Sequence, residues 1–310
     1  MTDGLELVVT HRTATHYTAR VEVAYHCAHL IPRQEGRQSV VDTRLTIDPM
    51  PSQCANTRDS FGNVRTEFAL YVPHEMLVVG MESRVSITPR PAPLDPAASA
   101  PWETVASALR YTLDASFRPA SEFVFASPYV PLLAALHDYA QPCFTPGRTY
   151  LAAALELMER VHRDFTYEPG VTEIDTPLLD AFRLRRGVCQ DFAHLMLGML
   201  RSLGLPARYV SGYLLTQPPP GQDRLLGADA SHAWISIWCP VLGWVDLDPT
   251  NAVVPDTSHV TVAVGRDYGD VVPLRGVIQG GASHTLEVAV DVAPAVERVG
   301  GSQSGCSLSR

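Results

Sequence analysis

The chain has 310 residues, of which 46% are hydrophobic, as is typical of a folded soluble protein with one or two domains. Its 33 acidic residues outnumber its 24 basic residues without long runs of one sign, which argues against binding to nucleic acid or to anionic membranes. No window approaches the roughly 20 apolar residues that cross a bilayer, and the first residues lack the pattern of a signal peptide, so we expect a cytoplasmic location.

Short β-rich runs separated by turn residues occupy the first 88 residues. The runs are Leu5–Val9, Val21–Tyr25, Arg44–Ile47, Val64–Phe68 and Val85–Ile87. Their regular spacing predicts an N-terminal antiparallel β-sandwich, which we assign to residues 1–90. The stretch from Pro89 to Pro101 is rich in Pro and Ala and predicts a linker.

Helical periodicity follows the linker. Apolar residues recur at nearly four-residue spacing from Leu151 to Phe165, which predicts an amphipathic helix. Ser127-Pro128 and Thr176-Pro177 are typical helix starts, since each pairs a capping side chain with a proline. A further apolar-periodic run begins near Cys189 and ends at Gly204.

Strand signals return after Gly204. They are Arg208–Leu214, His232–Trp238, Gly243–Leu247, His259–Val264 and Thr285–Val290. Helices followed by strands predict an α+β second domain with its own antiparallel sheet, assigned with the linker to residues 91–310.

Cys189 is predicted in the first turn of its helix, directly after Gly187 and Val188. There the free backbone N–H groups and the positive end of the helix dipole favour a thiolate and can bind a developing oxyanion. The position therefore suits a nucleophile. A buried inert cysteine is the alternative for Cys189 taken alone.

A histidine and two aspartates lie on two neighbouring predicted strands. Because side chains alternate along a strand, His232, Asp246 and Asp248 share the face opposite to Ala233, Ile235 and Val245. One carboxylate can then fix the tautomer of the imidazole. The alternation does not choose between Asp246 and Asp248.

The remaining cysteines and histidines predict no metal site. The six cysteines are widely spaced without a C-x-x-C pair, which indicates reduced thiols. His26 and His29 flank Cys27, but strand geometry sends the two imidazoles to opposite faces. Asp191 and His194 are interpreted as a helix-stabilising carboxylate and a packing or hydrogen-bonding imidazole.

Three segments together resemble the bacterial transglutaminase-like superfamily, in its cysteine protease branch. They are Gly187-Val188-Cys189-Gln190-Asp191-Phe192-Ala193-His194, Ser231-His232-Ala233-Trp234 and Asp248-Pro249-Thr250-Asn251. The resemblance covers roughly Tyr150 to Asp270. The first 88 residues also resemble the N-terminal region that precedes the core in this branch, notably at His11-Arg12-Thr13 and Asp59-Ser60-Phe61-Gly62-Asn63.

The resemblance implies a papain-like, transglutaminase-like core with Cys189 as nucleophile, His232 as general base and acid, and Asp248 as the residue that orients the imidazole. It selects Asp248 because the family pattern places the catalytic aspartate directly before Pro249. Tyr167 is a further hypothesis, as a second oxyanion donor beside the Cys189 amide, because it carries a hydroxyl and precedes the nucleophile segment.

The leading function is a thiol-dependent amide-bond hydrolase, a peptidase or amidase, that acts through a thioester on a peptide or small amide. No cofactor, metal, nucleic acid or membrane partner is predicted. One alternative is a protein-glutamine gamma-glutamyltransferase, which shares the first half-reaction and passes the acyl group to an amine. Another is a catalytically silent binding module on the same fold.

Overall fold

The computed structural model describes residues 4–110, 118–216 and 231–295. Within them thirteen strands are β1 (Leu5–Ala28), β2 (Gln38–Asp48), β3 (Gln53–Arg58), β4 (Val64–Leu70), β5 (His74–Ile87), β6 (Thr166–Tyr167), β7 (Arg186–Gly187), β8 (Ala207–Leu214), β9 (Ser231–Cys239), β10 (Gly243–Leu247), β11 (His259–Gly265), β12 (Leu274–Gly280) and β13 (His284–Pro294). The α-helices are α1 (Trp102–Ala108), α2 (Ala134–Ala140), α3 (Tyr150–Asp164), α4 (Leu178–Leu184) and α5 (Cys189–Ser202).

The β-rich N-terminal region is a curled antiparallel sheet built around β1. The first half of β1 pairs with β5 and the second half with β4, with a shift of register between His16 and Val21. The two predicted runs at Leu5–Val9 and Val21–Tyr25 are thus parts of one long strand. The strands form one continuous sheet of seven strands. The description of this region as a sandwich stays a prediction.

The last two strands of the described chain return to this first sheet. β12 and β13 both pair antiparallel with β1, along the edge that β4 and β5 leave free. The expectation that Thr285–Val290 belongs to the second sheet is wrong. Pairing with β1 satisfies backbone groups that would otherwise form an open edge, and no sequence pattern names the sheet that a strand joins.

The helices follow the predicted periodicity better than the predicted starts. α3 buries Leu151, Met158 and Val161, as its spacing predicts. No helix begins at Ser127-Pro128, because Ser127 forms a bridge with Val130 and the next helix starts at Ala134. No described helix is both long and apolar enough to cross a bilayer.

The second sheet has the strand order β10-β9-β8-β11 and is antiparallel throughout. α5 packs against β8 and β9, where Ala233, Ile235 and Ile237 are buried. This arrangement confirms the α+β class with helices on an antiparallel sheet. α5 and β8 are consecutive and run in opposite directions, and β8 and β9 are antiparallel. The first residue of α5 therefore lies near the end of β8 and the start of β9.

Two side-chain amides from the first region bind the outer edge of β11. Gln38 donates to the carbonyl of Thr261 at 2.7 Å and accepts from its N–H at 2.8 Å. Asn63 does the same for Val264, at 2.7 and 2.8 Å. Both amides mimic a neighbouring strand, so they hold the N-terminal region against the second sheet.

Candidate active site

Cys189 is the first residue of α5, on a turn that a buried carboxylate organises. Asp191 Oδ2 accepts the N–H of Val188 at 2.8 Å and the hydroxyl of Thr172 at 2.7 Å. A Cβ at position 187 would lie 2.4 Å from the same oxygen, so this position requires Gly187. The predicted helix-stabilising role of Asp191 agrees with these contacts. The turn presents the thiol at the positive end of a helix dipole.

His232 lies at the start of β9 and joins a carboxylate to the thiol. Its Nε2 is 2.8 Å from Asp248 Oδ2, and Cys189 is near enough to act on the pKa of the ring. Burial favours the neutral ring, but the hydrogen bonds and negative charges of Asp248 and Cys189 outweigh it and raise the pKa of His232 to about 9. These contacts therefore favour the protonated imidazole beside Cys189.

Asp248 follows β10 and is fully buried. Its Oδ2 accepts from His232 and from the side-chain amide of Asn251 at 2.7 Å, and its Oδ1 accepts from the Thr250 N–H at 2.9 Å. Burial would raise the pKa of Asp248, but these hydrogen bonds and the charge of His232 hold it well below its usual range. Asp246 instead lies opposite Ser236 in the register, beyond reach of this cluster. Asp248 is thus the carboxylate that meets the imidazole.

A second imidazole, which sequence analysis did not find, also binds Asp248. His259 Nε2 is 3.2 Å from Asp248 Oδ2, and its Nδ1 is 3.0 Å from the hydroxyl of Ser258. The ring packs edge to face against Trp234 at 5.2 Å between centroids. His259 begins β11, two strands away from β9. The sequence signal was only another histidine at the start of a predicted strand.

The same cluster holds three atoms of metal-binding type. One nitrogen each of His232 and His259 and one oxygen of Asp248 lie within 4.8 Å of one another. The hydrogen bonds from both rings to the carboxylate account for this closeness. The sequence-based expectation of no metal stays a prediction.

Tyr167 lies close to the thiol. β6 pairs with β7 in parallel, which sets Tyr167 beside Gly187, and about half of its side chain is exposed. Burial and then the nearby Cys189 raise the pKa of Tyr167, so its hydroxyl stays protonated. Tyr209 on β8, which sequence analysis did not single out, is buried and responds to Cys189 in the same way. The structure therefore offers two hydroxyl groups near the nucleophile.

Residues 266–268 brace the helix that carries the thiol. His194 on α5 accepts the N–H of Tyr268 at 3.1 Å and stacks on Tyr129. Asp267 Oδ2 accepts the N–H of Tyr129 at 3.0 Å. Burial lowers the pKa of His194 to about 3, so the ring is a neutral hydrogen-bond acceptor here. This agrees with the packing and hydrogen-bonding role predicted for His194.

Comparisons with known proteins agree with this architecture. Residues 137–249 match the transglutaminase-like superfamily, and residues 7–86 match the bacterial transglutaminase-like N-terminal region. The chain is 41% identical to the uncharacterized protein Rv2569c of Mycobacterium tuberculosis over 92% of each chain. It is 32% identical to a protein-glutamine gamma-glutamyltransferase of Pseudomonas aeruginosa, over 41% of this chain and 19% of that protein.

A solved structure supports the same fold. The crystal structure of a protein from Cytophaga hutchinsonii, described as a candidate cysteine protease, matches with a TM-score of 0.73 over 98% of this chain and 95% of that one. At 17% identity, this similarity concerns the fold alone. From the matched regions and the full-length relatives, the chain belongs to the transglutaminase-like superfamily and carries the bacterial N-terminal region of that family.

Proposed function

We propose that this protein is a thiol-dependent hydrolase of amide bonds, a peptidase or amidase that uses Cys189, His232 and Asp248. The observation that carries the proposal is the 2.8 Å hydrogen bond of His232 to the buried Asp248 carboxylate, with Cys189 near enough to the same imidazole to raise its pKa. A base beside the thiol and an acceptor behind the base are the parts that nucleophilic catalysis needs.

The reaction follows from these contacts. The Cys189 thiolate attacks the amide carbonyl, and the backbone N–H at the start of α5 stabilises the oxyanion. The His232 imidazolium gives its proton to the nitrogen as the carbon–nitrogen bond breaks, which leaves a thioester and a free amine. His232 then takes a proton from water, which attacks the thioester and releases the acid and the thiolate.

Tyr167 is proposed as the second oxyanion donor. Its position beside Gly187, its raised pKa and its half-exposed side chain favour this role. The change Tyr167→Phe removes the hydroxyl and keeps the ring, and loss of one oxyanion donor costs about 100-fold in kcat. Full activity in this variant would exclude the role.

Transfer to an amine is a second candidate. It is favoured by the 32% identity over 127 residues to the gamma-glutamyltransferase of Pseudomonas aeruginosa. The acylation step is the same, and only the group that resolves the thioester differs. A site that excludes water would favour the amine.

Product analysis separates these functions. The protein is incubated with a panel of peptide amides and glutamine-containing peptides, with and without cadaverine, and the products are identified by mass spectrometry. Hydrolysis gives the free acid and the released amine or ammonia and is the expected result, whereas transfer gives the cadaverine amide and the same released amine or ammonia. Neither product, together with an unreactive Cys189, would support a silent binding module. Cys189→Ala is the control that must abolish both products.

A further inference from the structure

A cavity of about 380 Å³ lies where the curled first sheet meets the catalytic core. β1, β12 and β13 supply most of its wall, and the core supplies Ser231 and Tyr268. The cavity is large enough to hold one substrate side chain with part of its backbone, at the lower end of the range for ligand sites. Because β12 and β13 form part of its wall, the cavity depends on the pairing of these two strands with β1.

The core side of this cavity adjoins the proposed catalytic groups. Ser231 directly precedes His232. The ring of Tyr268 packs edge to face on Tyr209 at 6.5 Å, and Tyr209 is close enough to Cys189 for the thiolate to raise its pKa further. One core residue of the wall is thus the chain neighbour of His232, and the other contacts Tyr209, which is near Cys189.

The wall on the sheet side is mainly neutral. Its apolar part consists of Leu274, Ile278, Leu286 and Val288, and its polar part includes the hydroxyls of Thr13 and Thr15. No aspartate or glutamate occurs among the described residues that line it. A cationic group in the cavity would therefore lack a counterion.

The titratable groups of the wall add no negative charge. Burial lowers the pKa of His11 and of His26 to about 4, so both rings are neutral at pH 7. Arg275 contributes a guanidinium. A neutral ligand meets no penalty from this arrangement, whereas a cationic one is repelled by Arg275.

We propose that this cavity binds the uncharged aromatic or branched aliphatic side chain of the acyl substrate, and that the N-terminal sheet thereby determines specificity. The proposal rests on the proposed function of the thiol. It gives a function to the pairing of β1 with β12 and β13 in one sheet. It predicts that substrates with lysine or arginine side chains at this position react poorly.

Matched alkylating reagents test the preference without knowledge of the substrate. Chloroacetamide, its N-benzyl derivative and a derivative with a trimethylammoniobutyl group each lose chloride when the Cys189 thiolate forms the new carbon–sulfur bond. Rates at Cys189 are measured by mass spectrometry and divided by the rates with glutathione. We expect the benzyl reagent to exceed the cationic reagent by about tenfold or more.

The variant Leu286→Glu places a carboxylate in the wall, opposite Thr15 in the register, at a side chain that is already 59% exposed. The control Val277→Glu makes the same change on β12, at a side chain that is 75% exposed and outside the cavity wall. We expect the preference to shrink or reverse in Leu286→Glu and to persist in Val277→Glu. An equal preference in both variants and the wild type would overturn the proposal.

Two further measurements test the role of the cavity separately from the proposed function of Cys189. Plain chloroacetamide reports whether Cys189 is activated, and its rate should be the same in both variants. N-acetylbenzylamine cannot react with a thiol, and its binding is followed by ligand-detected NMR. This measurement reports on the cavity even if Cys189 is unreactive. Binding that is lost in Leu286→Glu supports the proposal, and absence of binding to the wild type contradicts it.

Discussion

Two buried aspartates, Asp191 and Asp248, serve the same site in different ways. Asp191 accepts from the Val188 N–H and the Thr172 hydroxyl, both neutral donors. Asp248 accepts from two imidazoles, a side-chain amide and backbone N–H groups. Asp191 organises the turn before Cys189, and Asp248 stabilises the positive charge of the His232 ring. Burial and residue type alone do not separate these roles, but the chemistry of the donors does.

The largest effect is expected when the charge of Asp248 is removed. In Asp248→Asn the amide keeps the shape but cannot stabilise the imidazolium, so the pKa of His232 should fall from about 9 toward or below its ordinary value. Under the proposed function, the activity should fall by about 10³-fold or more, as in a serine-protease triad that loses its carboxylate. NMR titration of the His232 ring measures the pKa.

Asp246→Asn is the matched control for this change. It lies on β10, two residues before Asp248, and outside the hydrogen-bonded cluster. The pKa of His232 and the activity should stay at wild-type values. A similar fall in both variants would mean that the general negative charge of the region, and not one carboxylate, determines the pKa of His232.

The pair formed by His232 and Asp248 predicts a pH dependence of the free energy of unfolding. The pKa of His232 is raised from 6.5 to about 9 on folding, so its contribution is complete below pH 6.5 and is lost as the pH rises through 9. The shift corresponds to at most about 3 kcal/mol. Urea unfolding of the wild type and of His232→Gln should show a difference in free energy that shrinks between these pH values. A constant difference would contradict the raised pKa.

A smaller effect is expected from the second imidazole. His259→Gln removes one of several donors to Asp248, and a hydrogen bond to a charged group contributes about 2 kcal/mol. The free energy of unfolding should fall by about this amount, while Cys189 keeps its reactivity at low pH because His232 and Asp248 remain. His137→Gln, at a partly exposed side chain away from Asp248, is the control. Loss of low-pH reactivity would assign His259 a larger role in orienting the carboxylate.

The smallest effect is expected at Asp191. Asp191→Ala frees the Val188 N–H and the Thr172 hydroxyl, which should lower the free energy of unfolding by about 1 kcal/mol. The alkylation rate of Cys189 should fall at every pH without a shift of its profile, because Asp191 touches neither the imidazole nor Asp248. Asp180→Ala, at an exposed carboxylate of α4, is the control. A shifted profile would remove the distinction between the two aspartates.

Sequence reasoning found the parts of the site that local patterns encode. The helix start at Cys189, the strand that begins near His232 and the strand that ends at Leu247 all have local signals, and the family resemblance then selected Asp248. The contact of His259 with Asp248 depends on the strand order β10-β9-β8-β11. Neither alternation nor spacing specifies strand order, so this residue was missed.

The fold shows the same limit. α3, α5 and the strands from β8 to β11 follow from periodicity, because period depends only on which face is buried. The return of β12 and β13 to β1 does not, since their residues are strand formers that fit either sheet. The predicted linker is also more ordered than its composition indicates. Ser99, within it, is buried and accepts the N–H of Leu151 at 2.8 Å.

The most direct test of the thiolate–imidazolium pair is the pH dependence of alkylation by iodoacetamide, followed by mass spectrometry at each cysteine, in the wild type and in His232→Ala. We predict that Cys189 reacts selectively below pH 7 in the wild type. In His232→Ala its profile should move toward that of an ordinary thiol near pH 8.5. If Cys189 reacts no faster than the other five cysteines and is indifferent to the substitution, the account of the active site is wrong.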